Sequence, residues 1–292
     1  MITYDSRNWV AALALHRSDT VRKLWPMLVL VGVFTWAVGY LETELLHLTR
    51  QDSVNNLPVM HSLMGFAISM LLVFRTNTAY DRWWEARKAW GQLVNVSRNV
   101  AIKLATILPR EDAAARDEHA RLIGAFAHAL QAHLRSEKTR MALDASTHPQ
   151  IEGLDPGKHV PAQIAALMHA RVHAAYREGL MTGDQLIGLA SDLASFMDIC
   201  GICERIKNTP IPYSYSSFLK KFIVIYSLSL PFGFVFALGY VAIPVCVFIF
   251  YVLVSLEVIA EEIEEPFGLD TNDLPIDRLA GIISANATEL LH

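Results

Sequence analysis

Charge is scarce in this sequence. Asp, Glu, Lys and Arg together make up 18% of the 292 residues, whereas hydrophobic residues make up 53%, and the mean hydropathy is +0.30. A soluble protein of this length normally carries more charge and distributes its apolar residues in periodic stripes. The net charge of −4 includes no basic excess, so nothing indicates a nucleic-acid partner. The composition favours a membrane protein.

Cysteines and enzyme signatures are equally sparse. Three cysteines, an odd number, give no disulfide framework. Cys200 and Cys203 have the CxxC spacing of redox and zinc sites, but no second ligand pair lies nearby and both fall inside a predicted helix. His169 and His173 are spaced i, i+4 without the Glu of an HExxH motif. We interpret all four as ordinary helix residues, and the sequence predicts no enzyme and no cleaved signal peptide.

Three long runs contain no Asp, Glu, Lys or Arg. They cover residues 24–41, 57–74 and 222–256, and His61 is the one titratable group of the second. A bilayer core of roughly 30 Å requires about 20 helical residues. The third run is therefore long enough for two spans that fold back near Gly239 and Tyr240. We predict an all-α membrane protein with four transmembrane helices, because a buried hairpin of a soluble core does not account for three such runs.

The distribution of Lys and Arg predicts the topology. These residues precede the first span, follow the second and precede the third, so both termini should be cytoplasmic in a multi-pass protein of the cell membrane. The resulting division is a cytosolic N-terminal segment (1–23), spans one and two (24–74), a helical cytosolic domain (75–221), spans three and four (222–256) and an acidic cytosolic tail (257–292).

Helical periodicity dominates the parts outside the spans. It predicts helices over 75–108, 113–140, 162–178 and 182–207, with a loop over 144–161. The tail should end in an amphipathic helix with one apolar side, formed by Leu279, Ile282, Ile283 and Leu290.

The second span has a stripe of large apolar residues on one face: Val59, Leu63, Phe66, Met70 and Phe74. Gly65 and Ser69 lie to one side, where small residues allow another helix to approach closely. In a single copy such a stripe would face lipid or pack against protein. In a ring of subunits it could line a narrow, dry constriction. These residues alone leave both possibilities open.

Three blocks of sequence resemble the signature blocks of prokaryotic bestrophins. They are FRTNTAYDRWWEAR at 74–87, CERI with TPIP at 203–212, and EEPFG with NDLP at 264–275. The resemblance implies a homopentamer around a central pore whose hydrophobic neck is formed by Phe66, Met70 and Phe74. It also implies that 75–221 forms a cytosolic vestibule, with a second constriction near Asp184.

The resemblance implies an ion channel but not the sign of its ion. Eukaryotic bestrophins are calcium-activated anion channels, whereas some prokaryotic relatives conduct cations. Five Asp184 carboxylates in a ring would favour monovalent cations over chloride. The positions of the eukaryotic calcium site correspond to Glu262, Glu265, Asp270 and Asp273, which makes calcium a possible ligand; alternatively, the tail wraps on a neighbouring subunit. A secondary transporter or a membrane enzyme that uses the CxxC pair is the alternative function, although no internal repeat is visible.

Overall fold

A computed structural model describes residues 20–45, 57–135, 154–155 and 157–292. These residues form helices and turns, without a strand. The helices are α1 (Thr20–Tyr40), α2 (Leu57–Ile107), α3 (Ala113–Arg135), α4 (Val160–Arg177), α5 (Gly183–Asn208), α6 (Tyr213–Leu238), α7 (Ala242–Glu264) and α8 (Ile276–Leu291).

The chain divides into two compact units. The first, here called the membrane unit, lies within Ile2–Arg82 and Ile211–Glu264. The second, here called the helical unit, lies within Trp83–Pro210 and Glu265–His292. The tail beyond Glu264 thus belongs to the same compact unit as α3, α4 and α5.

Four segments of the described chain are long and apolar enough to cross a membrane: Thr20–Tyr40, Val59–Ile107, Gly183–Asn208 and Tyr213–Glu264. The last of these consists of two helices, α6 and α7, separated by a short 3₁₀ turn at Gly239–Val241. Gly183–Asn208 is α5, which lies in the predicted cytosolic domain (75–221). Its apolar residues form part of the core of the helical unit, and this burial explains its hydropathy without a membrane.

The turn between α6 and α7 lies where the sequence predicted it. Gly239 ends α6 with a φ of 58°, a left-handed conformation that a residue with a Cβ adopts only at a cost. At 1.5 Å per residue, α6 with 26 residues is about 39 Å long and α7 with 23 residues is about 35 Å long. Each helix can therefore cross a hydrocarbon core of roughly 30 Å.

The core of the membrane unit lies between the first part of α2 and the α6–α7 pair. Ile68 and Leu72 of α2 are fully or almost fully buried. They pack with apolar residues of α6 and α7: Leu219, Ile223, Tyr226, Leu230, Cys246 and Leu253. One face of α2 is therefore buried by contacts with α6 and α7 of the same chain.

Residues 57–107 form one continuous helix rather than a span followed by a separate cytosolic helix. Neither Gly nor Pro occurs between Gly65 and Gly91. The hydroxyls of Thr76 and Thr78 donate to the carbonyl oxygens of Leu72 and Phe74, both at 2.9 Å, so the polar stretch after the apolar run hydrogen-bonds within the helix. The helix continues through the point where the hydropathy changes.

Close packing of α8 against α3 places the tail in the core of the helical unit. A Cβ added to Gly124 would lie 2.6 Å from Ser284 Oγ, so the two helices approach at a position where α3 has no side chain. The buried stripe of α8 is Ile276, Ala280, Ile283, Ala287 and Leu291. The predicted apolar side included Leu279, Ile282 and Leu290, which are only partly buried. The small side chains of Ala280 and Ala287 are buried instead.

Candidate functional site

The outward face of α2 in the membrane unit is apolar over several turns. The fractional exposures are 68% for Phe66, 46% for Met70 and 58% for Phe74. Val59 and Leu63 of the same stripe are exposed to 60% and 67%. Because residues four apart rise about 6 Å along a helix, the three predicted neck residues form three successive levels. Their exposure leaves this face available to lipid, to a partner or to a pore.

The opposite face of α2 is held by a buried ion cluster directly after Phe74. Arg75 is 1% exposed, and its Nη2 lies 2.6 Å from Oε2 of Glu264. Its Nε lies 3.5 Å from Oε2 of Glu257, which is also buried. The other oxygen of Glu264 accepts the backbone N–H of Ile211 at 2.8 Å. The cluster therefore fixes α2 to the end of α7 and to the start of the chain leading into α6.

Two exposed carboxylates, those of Asp184 and Asp81, are candidates for a role in ion selection. Asp184, the predicted cytosolic constriction residue, is exposed in the first turn of α5. Ile187, one turn later, is 71% exposed, so an apolar residue also stands at this end of α5. Asp81 is exposed on α2 and lies two turns after Phe74 on the same face, because seven residues are close to two helical turns. No sequence pattern predicted a role for Asp81.

The four carboxylates of the predicted calcium site are divided between the two units. Glu262 lies in the membrane unit, where Lys23 pairs with it. The other three belong to the helical unit, where Oδ2 of buried Asp273 accepts the N–H of Asp270 at 2.6 Å. Glu265 and Asp270 are exposed. Calcium binding by the tail stays a prediction.

The histidines and cysteines selected in the sequence occupy ordinary helical positions. Cys200 and Cys203 are fully buried within α5. His169 and His173 lie along α4, where His173 is exposed. A different group, His133, His159 and Glu204, is the one set in the described residues with three metal-ligand atoms close together. No spacing rule connects these three residues, because they are distant in sequence and meet only through the packing of α3, α4 and α5.

Comparisons with known proteins agree with this architecture. A family model for bacterial and fungal bestrophins matches residues 1–289. A protein of Ralstonia nicotianae, named as a voltage-dependent anion channel-forming protein, is 33% identical over 100% of this chain and 94% of its own length. The Escherichia coli K12 protein YneE, with the same description, is 32% identical over 99% of this chain and 94% of its own.

Solved structures give the same result. The crystal structure of a bacterial bestrophin homologue from Klebsiella pneumoniae matches with a TM-score of 0.79 and 26% identity, and the match covers 92% of this chain and 99% of that chain. The apolar helices and the exposed stripe on α2 define the chain as an all-α membrane protein. With these comparisons, the chain belongs to the bacterial and fungal bestrophin family.

Proposed function

We propose that this chain is the pore-forming subunit of an ion channel that conducts small monovalent ions passively through a central pore lined by α2. The observation that carries the proposal is the division of α2 into two faces. One face is buried against α6 and α7 through Ile68 and Leu72, whereas the other exposes Phe66, Met70 and Phe74. An uncharged, exposed stripe on a firmly anchored helix is suited to a constriction that gates by dewetting.

The stripe can enclose a pore only if several copies assemble. All three neck residues are exposed in a single chain, which supports a pore in which each copy contributes one wall. We therefore propose a homopentamer, in line with what the sequence resemblance implies, with α2 innermost and with α1 and the α6–α7 pair towards lipid. The Lys and Arg distribution favours a multi-pass arrangement in the cell membrane with both termini in the cytoplasm.

Two considerations on the permeant ion point in opposite directions. The Ralstonia and Escherichia coli relatives are named as anion channel-forming proteins, which favours chloride. Rings of Asp81 or Asp184 would instead attract cations. The neck itself contributes no fixed charge, so we propose that the sign depends on how close these carboxylates lie to the ion path.

Currents from the purified protein in a planar bilayer test the channel directly. We expect discrete unitary currents, and reversal potentials in asymmetric salt then give the sign of the permeant ion. A membrane transporter would produce slow flux without unitary steps. Native mass spectrometry of the detergent-solubilised protein should give the mass of five chains; a monomeric or dimeric mass would contradict the proposed pore.

A further inference from the structure

A compact group of two imidazoles and one carboxylate lies in the helical unit, apart from the proposed pore residues. His133 is in the last turn of α3, His159 is the N-cap residue of α4 and Glu204 is in α5. Nε2 of His133 lies 2.6 Å and Nε2 of His159 lies 2.7 Å from the same oxygen, Oε1 of Glu204. The two ring centroids are 4.6 Å apart.

The hydrogen bonds identify the proton on each ring. Nδ1 of His159 accepts the backbone N–H of Ala162 at 3.1 Å, so the proton of the neutral ring is on Nε2, which donates to Glu204. His133 also donates its Nε2–H, because a carboxylate oxygen only accepts. Two N–H groups therefore converge on one carboxylate oxygen.

The three side chains differ in burial, and His133 is 6% exposed. Nδ1 of His159 accepts the N–H of Ala162, which only a neutral ring can do, and a neutral imidazole is the form that binds a metal. His159 and Glu204 are 34% and 29% exposed, so the group is accessible to an ion from solvent.

We propose that His133, His159 and Glu204 form a binding site for a divalent transition-metal ion of the zinc type. Two imidazole nitrogens and a carboxylate oxygen are a ligand set that zinc prefers, with bonds of about 2.0–2.2 Å and a fourth position left for water. Calcium and magnesium favour oxygen ligands instead. The ion would join the end of α3, the start of α4 and the C-terminal half of α5.

Metal binding requires a definite rearrangement. Ligands at these bond lengths in a tetrahedral site lie about 3.3 Å apart, so the nitrogen–oxygen separations must open from 2.6 and 2.7 Å. Each ring proton moves to Nδ1, and His159 thereby gives up its hydrogen bond from Ala162. Lys207 donates to the backbone oxygen of His133 at 3.4 Å, and its charge beside the site opposes a cation. Removing that charge should therefore strengthen binding.

Titration of the full-length, chelator-treated protein with CoCl₂ and ZnCl₂ tests the site. We expect one Co²⁺ per chain, with the intense visible d–d absorption of a four-coordinate ion, and displacement of Co²⁺ by Zn²⁺. Glu204→Gln and His159→Gln should each weaken Zn²⁺ binding at least tenfold in calorimetry. Lys207→Gln should strengthen it.

The matched control is the double variant His169→Gln/His173→Gln, which removes the i, i+4 histidine pair of α4 outside the proposed site. It should bind Co²⁺ like the wild type. Loss of the Co²⁺ spectrum in this control, or a wild type without that spectrum, would overturn the proposal and leave the group as a hydrogen-bond network. The wild-type spectrum does not depend on the folding of any variant, and none of these measurements depends on channel activity.

Discussion

The guanidinium of Arg75 and the carboxylate of Glu264 are in direct contact in the membrane unit, with Nη2 and Oε2 2.6 Å apart. Arg75 follows Phe74 immediately, whereas Glu264 is the last residue of α7. This contact fixes α2 at the level where its apolar stripe ends. It links the candidate neck to the packing of α6 and α7. Substitutions of these two residues should therefore change how firmly α2 is held without changing the side chains of the neck.

The two carboxylates near Arg75 should respond differently to neutralisation. Glu264 has both a close contact with Arg75 and the N–H of Ile211, whereas the atoms of Glu257 and Arg75 lie 3.5 Å apart. Breaking a buried pair that is well hydrogen-bonded costs about 3–5 kcal/mol, so Glu264→Gln should markedly lower the midpoint of thermal dissociation in detergent. Glu257→Gln should leave it nearly unchanged. The reverse order would contradict this assignment of the anchor.

Widening the neck should increase conductance. The triple variant Phe66→Ala/Met70→Ala/Phe74→Ala removes three levels of large apolar side chains, so the constriction should become wider and wetter. Unitary conductance in planar bilayers should rise severalfold. The control is Leu30→Ala/Val33→Ala on α1, where both residues are exposed to 66% and 59%. Equal conductance in the two variants would identify the α2 stripe as a packing or lipid surface.

Separate Asp81→Asn and Asp184→Asn variants should show which of the two carboxylates affects the permeability ratio of anions to cations. If Asp184 lines a cytosolic constriction, Asp184→Asn should shift the reversal potential in asymmetric salt towards a higher relative permeability of anions, because a ring of negative charge is lost. Asp81→Asn tests the position two turns beyond Phe74 in the same way. A permeability ratio unchanged in one variant removes that carboxylate from ion selection.

Calcium binding by the tail can be tested at Asp270, whose side chain is exposed. If Glu262, Glu265, Asp270 and Asp273 bind calcium, Asp270→Ala should abolish the heat of binding in calorimetry while the oligomer stays intact. Asp198→Ala, at an exposed position of α5, is the control. Absence of binding heat from the wild type at millimolar calcium would leave the tail with a structural role alone.

Asp273 is the less informative position of that set. It is 2% exposed, and its carboxylate accepts the N–H of Asp270. A Cβ at Gly268 would lie 2.7 Å from the same carboxylate, so the turn that Asp273 closes has no room for a larger residue at 268 unless this carboxylate moves. Loss of calcium binding in Asp273→Ala would therefore not distinguish a lost ligand from a disrupted turn.

The strongest sequence predictions came from long uncharged runs and from helical spacing, because each of these patterns is compatible with few structures other than a helix. Uncharged runs of 18 residues and one of 35 residues indicated helices of membrane length, and Gly239 marked the turn between α6 and α7. The spacing of Phe66, Met70 and Phe74 placed them on one face of α2, and their exposure agrees with a common face. The helices 113–140, 162–178 and 182–207 began and ended close to α3, α4 and α5; residues 136–140 lie outside the described residues.

The sequence by itself determined the class of the protein, because the hydrophobic effect acts on composition and periodicity, which are local properties of a chain. It also gave the family, through blocks that keep their order. The tertiary structure decided which groups meet. Arg75 contacts Glu264 across nearly 190 positions, and His133, His159 and Glu204 converge from three helices. Such contacts depend on how helices pack, and side-chain packing between distant segments leaves no periodic signal in the sequence.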